Sequence, residues 1–226
     1  ESGLVQRAYW VPERKTTIIG WGASRPESSE LRTRGSSTLD DASAALILLC
    51  VGRLGEHKGQ EWLLDVYRQA RLQFRRPVRL VLVGQDEGDE DRLRQTIQAG
   101  GLDDEVLLTG ELSDVDLSYW YSRTDLFALF SQYEAFGLVF FEAMAHGAPV
   151  LTHDVGANGE LLSRGAVVVP RFDRQAAIQE MVRLVNQDDQ RIELGREAQD
   201  YSLAEFTWSA TAAKYLDVYR AILRRP

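Results

Sequence analysis

Six short apolar runs, separated by longer amphipathic stretches, organise the middle of this chain. They are Ala45–Val51, Val78–Val83, Val106–Thr109, Leu126–Phe130, Val150–Thr152 and Val167–Val169. A strand with one wet face alternates apolar and polar residues, whereas a strand covered on both faces does not. These runs therefore read as strands buried on both sides. Between them, Lys58–Phe74 places Leu63, Val66, Tyr67, Ala70 and Phe74 at helical spacing, as a helix with one buried face requires. Asp89–Ala99, Asp114–Arg123 and Leu138–His146 read as helices too. Alternating strands and helices predict a parallel sheet with helices on both faces, and right-handed crossovers restrict the wiring to a doubly wound α/β fold. From Arg174 onward the pattern is helical only, with helices expected over Ala176–Asn186, Asp189–Asp200 and Ala204–Arg224.

Residues 1–43 stand outside this rhythm. Thr16–Ile19 has the character of a short strand, and 22–43, rich in Ser, Arg, Glu and Gly, reads as a loop. The expected organisation is an N-terminal segment, 1–43, followed by one domain, 44–226. The chain does not begin with methionine, so it is expected to be a piece of a longer protein.

A formal net charge of -8 gives a polyanion no general attraction, which argues against a nucleic-acid partner. A local pair of cations can still hold a small phosphate compound. The single cysteine, Cys50, lies inside an apolar run and reads as a buried thiol in a reducing compartment. No apolar run approaches the roughly 20 residues of a membrane-spanning helix.

Open parallel sheets bind ligands beyond the carboxyl ends of their strands, so the unusual residues should fall there. The first such loop reads Gly52-Arg53-Leu54-Gly55-Glu56-His57-Lys58-Gly59. Arg53 can fork onto two phosphate oxygens and Lys58 can add a point charge beside a helix N-terminus. A solvated basic turn would have the same composition. The loop after the fourth run holds Glu134, then Phe136, Gly137 and Leu138, with Glu142 eight positions on from Glu134 in an apolar helix. A carboxylate among Val139, Phe140, Phe141 and Met144 is costly unless it accepts hydrogen bonds, and a sugar diol can donate two. The alternative is a Glu142 that faces water. His153, in the next loop, is either a polar neighbour of the site or an exposed loop residue. No carboxylate–histidine cluster has metal-ligand spacing, so neither metal nor cofactor is expected.

Glu134 and Glu142, with the string Ser131-Gln132-Tyr133-Glu134-Ala135-Phe136-Gly137-Leu138 before them and Ala143-Met144-Ala145-His146-Gly147-Ala148-Pro149-Val150 after, fit the Glu-x7-Glu signature. In this the chain resembles the retaining glycosyltransferases of family four, the group one glycosyltransferases, from about Ala45 to Leu223. The Gly-Arg-Leu-x-x-x-Lys-Gly turn, Val83-Gly84 and Gly110 are similar to that family as well. The resemblance implies the C-terminal, Rossmann-like domain of a GT-B fold, which binds the nucleotide diphosphate sugar donor. It further implies that Arg53 and Lys58 hold the diphosphate with Gly52, that Glu142 takes the ribose hydroxyls and that Glu134 takes hydroxyls of the transferred sugar. Phe136, Gly137 and Leu138 would present backbone to the donor, and Gly110 would lie near the base. Arg53, Lys58 and Glu134 would be the catalytic set.

A missing N-terminal domain would bind the acceptor, in polysaccharide, lipopolysaccharide or glycolipid synthesis, and this piece alone would transfer no sugar. The implied location is cytoplasmic, with any contact to the inner membrane carried by the missing half. The chain departs from the family at Ala157 and Gly159, where glycine and proline are usual, and at His153, where a small residue is common. A nucleotide-sugar epimerase of the same fold and a non-catalytic nucleotide-binding module are the alternatives. A dinucleotide-binding oxidoreductase would need Gly-x-Gly-x-x-Gly at its first strand turn, and neither Gly20-x-Gly22 nor Gly52-x-x-Gly55 completes it.

Overall fold

The computed structural model describes residues 17, 19–23 and 45–224. Six strands form one sheet: β1 (Leu46–Val51), β2 (Val78–Val83), β3 (Val106–Gly110), β4 (Leu126–Ala128), β5 (Val150–His153) and β6 (Ala166–Val169). Their order is β3-β2-β1-β4-β5-β6, and every adjacent pair is parallel. Each apolar run of the sequence is one of these strands. Leu48, Leu49 and Cys50 in β1 and Leu80, Val81 and Leu82 in β2 are buried on both faces, so no polar alternation appears in them.

Helices join the strands: α1 (Gln60–Ala70), α2 (Glu90–Ala99), α3 (Asp114–Arg123), α4 (Leu138–Ala145) and α5 (Asn158–Leu161), followed by α6 (Arg174–Asn186), α7 (Asp188–Glu205) and α8 (Trp208–Leu223). The helix expected over Lys58–Phe74 is shorter. Gly59, at φ +70, caps α1, and 3-10 turns flank it on both sides. α1 packs on α2 and α6, while α4 lies against α7 and β5. Phe140, Phe141, Ala143 and Met144 of α4 are completely buried, and each such aromatic or methionine side chain contributes roughly 1.5–3 kcal/mol of burial. Two polar ties fix α7 over α4: Ser202 Oγ donates to the Phe141 carbonyl at 2.8 Å, and Gln199 Nε2 to that of Ala145 at 3.0 Å.

The last helix begins at Trp208, because Thr207 caps it by accepting from the Ala210 N–H at 3.2 Å. Trp208, Tyr215, Leu216 and Tyr219 on it are about half exposed. In the strand expected over Thr16–Ile19, Thr16 and Ile18 lie outside the described residues, and Thr17 and Ile19 belong to no strand. Of the loop expected over 22–43, 24–43 lie outside them, and Ala23 bridges to Thr207. Among the described residues, no helix is long and apolar enough to cross a membrane.

Candidate functional site

Strand order reverses between β1 and β4: the chain runs outward from β1 through β2 to β3, then returns to the other side of β1. Loops that leave neighbouring strands in opposite directions open a crevice at such a point. Here the two loops are Gly52–Gly59 and Leu129–Gly137. Gly59 lets them meet. A Cβ on it would stand 2.1 Å from the Phe130 carbonyl oxygen. The Gln132 N–H donates to the His57 carbonyl at 2.8 Å, closing the seam. On the β1 side, the buried Gln60 donates from Nε2 to the carbonyls of Gly52 (3.2 Å) and Arg53 (2.8 Å), so α1 holds the loop in shape.

This seam brings Lys58 against Glu134. The Lys58 Nζ donates to Glu134 Oε1 at 2.6 Å, with the side chains only 18% and 9% exposed. The buried Ser131 hydroxyl donates to the same oxygen at 2.9 Å. Oε2 receives no donor among the described residues. The loop after β5 supports Glu134 from behind. Gly156, at φ +57, passes so close that a Cβ would lie 1.8 Å from the Glu134 carbonyl oxygen, and the Ala157 N–H donates to that oxygen at 3.3 Å.

A pocket of about 350 Å³ opens over this pair, lined by Trp21, Val51, Gly52, Lys58 and the run Glu134–Val139. α4 starts on its wall. Gly137, at φ +71, is the N-cap and offers no side chain to the first-turn N–H groups. Free N–H groups at a helix start favour an anion. The pocket thus joins an ammonium and a helix N-terminus, suited to phosphate, to a carboxylate suited to hydroxyl donors. A second groove of about 370 Å³, lined by Ala23, Leu203, Thr207, Trp208 and Ser209, has no ionisable lining group.

The other residues singled out in the sequence lie around this pair and do not join it. Arg53 turns away, its guanidinium paired with Glu87, where the side chain is 57% exposed. Glu142 accepts from the Tyr121 hydroxyl at 2.8 Å. Burial, then the Glu142 charge, holds the Tyr121 pKa well above the usual tyrosine value, so Tyr121 stays a donor. His146 stacks on Tyr121 with centroids 5.5 Å apart. Phe136 lines the pocket but packs on Phe141 and Phe206 at centroid distances of 5.1 and 6.0 Å. Leu138 begins α4. Gly110 ends β3, which two strands separate from β4, and accepts from the Gly84 N–H at 3.0 Å.

His153 is no loop residue. It ends β5 and is completely buried. Desolvation, with a contribution from the Arg171 charge, lowers its pKa from 6.5. Sequence reasoning passed over Ser131, Tyr121, Gln60 and Glu87 as individuals. Only Gln60 carried a signal, as a polar residue on the otherwise apolar face of its helix.

The family model described as "Glycosyl transferases group 1" matches residues 39–201. This chain belongs to the group 1 glycosyltransferases. Among group 1 relatives, the alpha-D-kanosaminyltransferase of Streptomyces kanamyceticus is 32% identical over 197 residues, 86% of this chain and 49% of the relative. The chain thus spans about half the length of that relative. Sucrose-phosphate synthase from Thermosynechococcus elongatus superposes with a TM-score of 0.78 at 26% identity, covering 98% of this chain and 56% of that one. HepE of Anabaena, solved in complex with UDP and glucose, superposes with a TM-score of 0.74 at 22% identity, over 93% of this chain and 58% of its own. Its likeness supports the GT-B type of fold.

Proposed function

We propose that the pocket between the β1 and β4 loops binds a nucleoside diphosphate sugar, and that this chain is the donor-binding half of a retaining glycosyltransferase. The observation that carries the reading is the contact of Lys58 with Glu134 beside the uncapped start of α4. That HepE was solved with UDP and glucose and that the Streptomyces relative is named a sugar transferase support it.

In this reading the diphosphate takes Lys58 and the N–H groups of Leu138 and Val139 at the start of α4, and Arg53 leaves Glu87 to join them. Glu134 accepts from hydroxyls of the transferred sugar through its open Oε2. Glu142, held by Tyr121, accepts from the ribose. As the bond between the anomeric carbon and the phosphate oxygen lengthens, negative charge builds on the diphosphate. Fixed donors and cations aimed at that charge stabilise the transition state more than the ground state. Retention of configuration rests on the likeness to the Glu-x7-Glu enzymes. The acceptor belongs to the other half of the protein, in polysaccharide, lipopolysaccharide or glycolipid synthesis, and any attachment to a membrane surface belongs there too.

A thermal-shift panel of nucleotide sugars and free nucleoside diphosphates tests the reading, since a bound ligand stabilises by RT ln(1 + [L]/Kd). At least one sugar–diphosphate pair raises the midpoint, and Lys58→Met abolishes the rise. Unshifted midpoints throughout, at millimolar ligand, refute it. Inversion of the sugar in the donor alone, by the full-length protein, would instead favour an epimerase.

A further inference from the structure

We propose that His153 is a positioning residue for Glu134, acting through Ser131, so that recognition of the donor sugar depends on an imidazole buried behind the pocket. The inference rests on the reading of Glu134 as the sugar-binding carboxylate.

Two hydrogen bonds define the imidazole. Its Nε2 lies 2.7 Å from the Ser131 carbonyl oxygen, which can only accept, and its Nδ1 lies 3.3 Å from the Phe172 N–H, which can only donate. Together they require the neutral tautomer with the proton on Nε2. The ring is wedged among Trp62, Phe130 and Phe172, with centroids 5.7, 5.6 and 5.0 Å away. A small residue at 153 would leave that space empty and the Ser131 carbonyl without this donor.

Ser131 is the next link. Its carbonyl is held by His153, and its hydroxyl donates to Glu134 Oε1. With Lys58 on the same oxygen, the bond from Ser131 restricts rotation of the carboxylate and leaves Oε2 without a donor among the described residues. The tie reaches further, to the loop after β6. Phe172 sits at φ +57, a region unusual for a residue with a side chain, and its N–H is spent on His153. The charged groups facing the ring are Arg171, from that loop, and Asp154, which follows it in the chain. Protonating Nδ1 would set a donor against the Phe172 N–H and release the loop after β6, while the Nε2–H bond to the Ser131 carbonyl would remain.

The test compares Kd for UDP-glucose with Kd for UDP, and for GDP-mannose with GDP, by calorimetry on the wild-type chain and three variants. The sugar-to-diphosphate ratio of Kd isolates the sugar contact from the phosphate contact. His153→Phe fills the space without either hydrogen bond and is expected to raise the ratio about fivefold or more. His153→Gln keeps a donor at the Nε2 position and is expected to stay within about twofold. Ser131→Ala should reproduce the effect of His153→Phe.

Nitrogen NMR of the three histidines should give His153 the Nε2–H tautomer at pH 7. An unchanged ratio in Ser131→Ala, equal weakening of both ligands in folded His153→Phe, or an Nδ1–H tautomer overturns the proposal. If His153→Phe does not fold, Ser131→Ala and the His153 tautomer decide. Absence of all nucleotide binding by the wild type overturns the donor-site reading itself, and this proposal with it.

Discussion

Breaking the Lys58–Glu134 pair should cost stability in a coupled way. The two charges are 2.6 Å apart and mostly buried. At an effective dielectric constant near 20, opposite charges at about 4 Å gain roughly 4 kcal/mol, but desolvation of each ion offsets most of that gain. Removing one partner of a fully buried pair costs about 3–5 kcal/mol, because the other charge is left unpaired. Lys58 borders an open pocket, so water reaches the orphan and the cost drops. Lys58→Met leaves the Glu134 carboxylate with Ser131 as its one remaining side-chain donor among the described residues and should lose about 2–3 kcal/mol. Glu134→Gln keeps an acceptor oxygen for both donors and should lose about 1–2 kcal/mol. The double variant should be more stable than the sum of the singles implies by about 1–2 kcal/mol. Urea denaturation at pH 7, read by tryptophan fluorescence, measures all four proteins. Losses that add to within about 0.5 kcal/mol would show that the two side chains do not interact, and the construction of the site would fall.

Three further outcomes follow from the same geometry. Gly59→Ala should destabilise by about 2 kcal/mol or more, since the residue is left-handed and its Cβ would meet the Phe130 carbonyl; an unchanged urea midpoint would mean the two loops are not in contact. Cys50, whose thiol burial pushes up to about 12, should resist a disulfide reagent in the native state and react only as the chain unfolds; complete reaction within seconds in buffer would contradict its burial. Glu87→Gln should release Arg53 and tighten nucleoside diphosphate binding about two- to fivefold by calorimetry, because an exposed pair holds at most about 1 kcal/mol; weaker binding would place Arg53 outside the phosphate site.

The sheet and its helices were legible because each element has its own periodicity. α3 runs Asp114–Arg123 as read from the pattern alone. Strand order, by contrast, is a property of the whole chain, and the alternation of elements does not encode which strands become neighbours. Helix ends were blurred where tertiary contacts decide them. Ser202 and Thr207 can both cap a helix, but Ser202 is used inside α7 to bond the Phe141 carbonyl, and the break falls at Phe206–Thr207.

The site was legible in part for a related reason. Lys58 and Glu134 stand at strand ends, where the fold rule points, and the structure joins them. Tyr121 with Glu142, and His153 with Ser131 and Phe172, are contacts between segments 19 to 22 residues apart. Nothing local marks such partners. His153 reads equally as a polar neighbour of the site or an exposed loop residue until β6 and its following loop fold over it.

The decisive measurement is amide chemical-shift mapping of the 15N-labelled chain titrated with the nucleotide sugar that stabilises it most. The expected result is saturable shifts centred on Gly52, Lys58 and the Glu134–Val139 run, lost in Lys58→Met. Shifts gathered instead around Ala23, Leu203 and Thr207–Ser209, with the β1 and β4 loops unmoved, would contradict a donor site at the strand reversal.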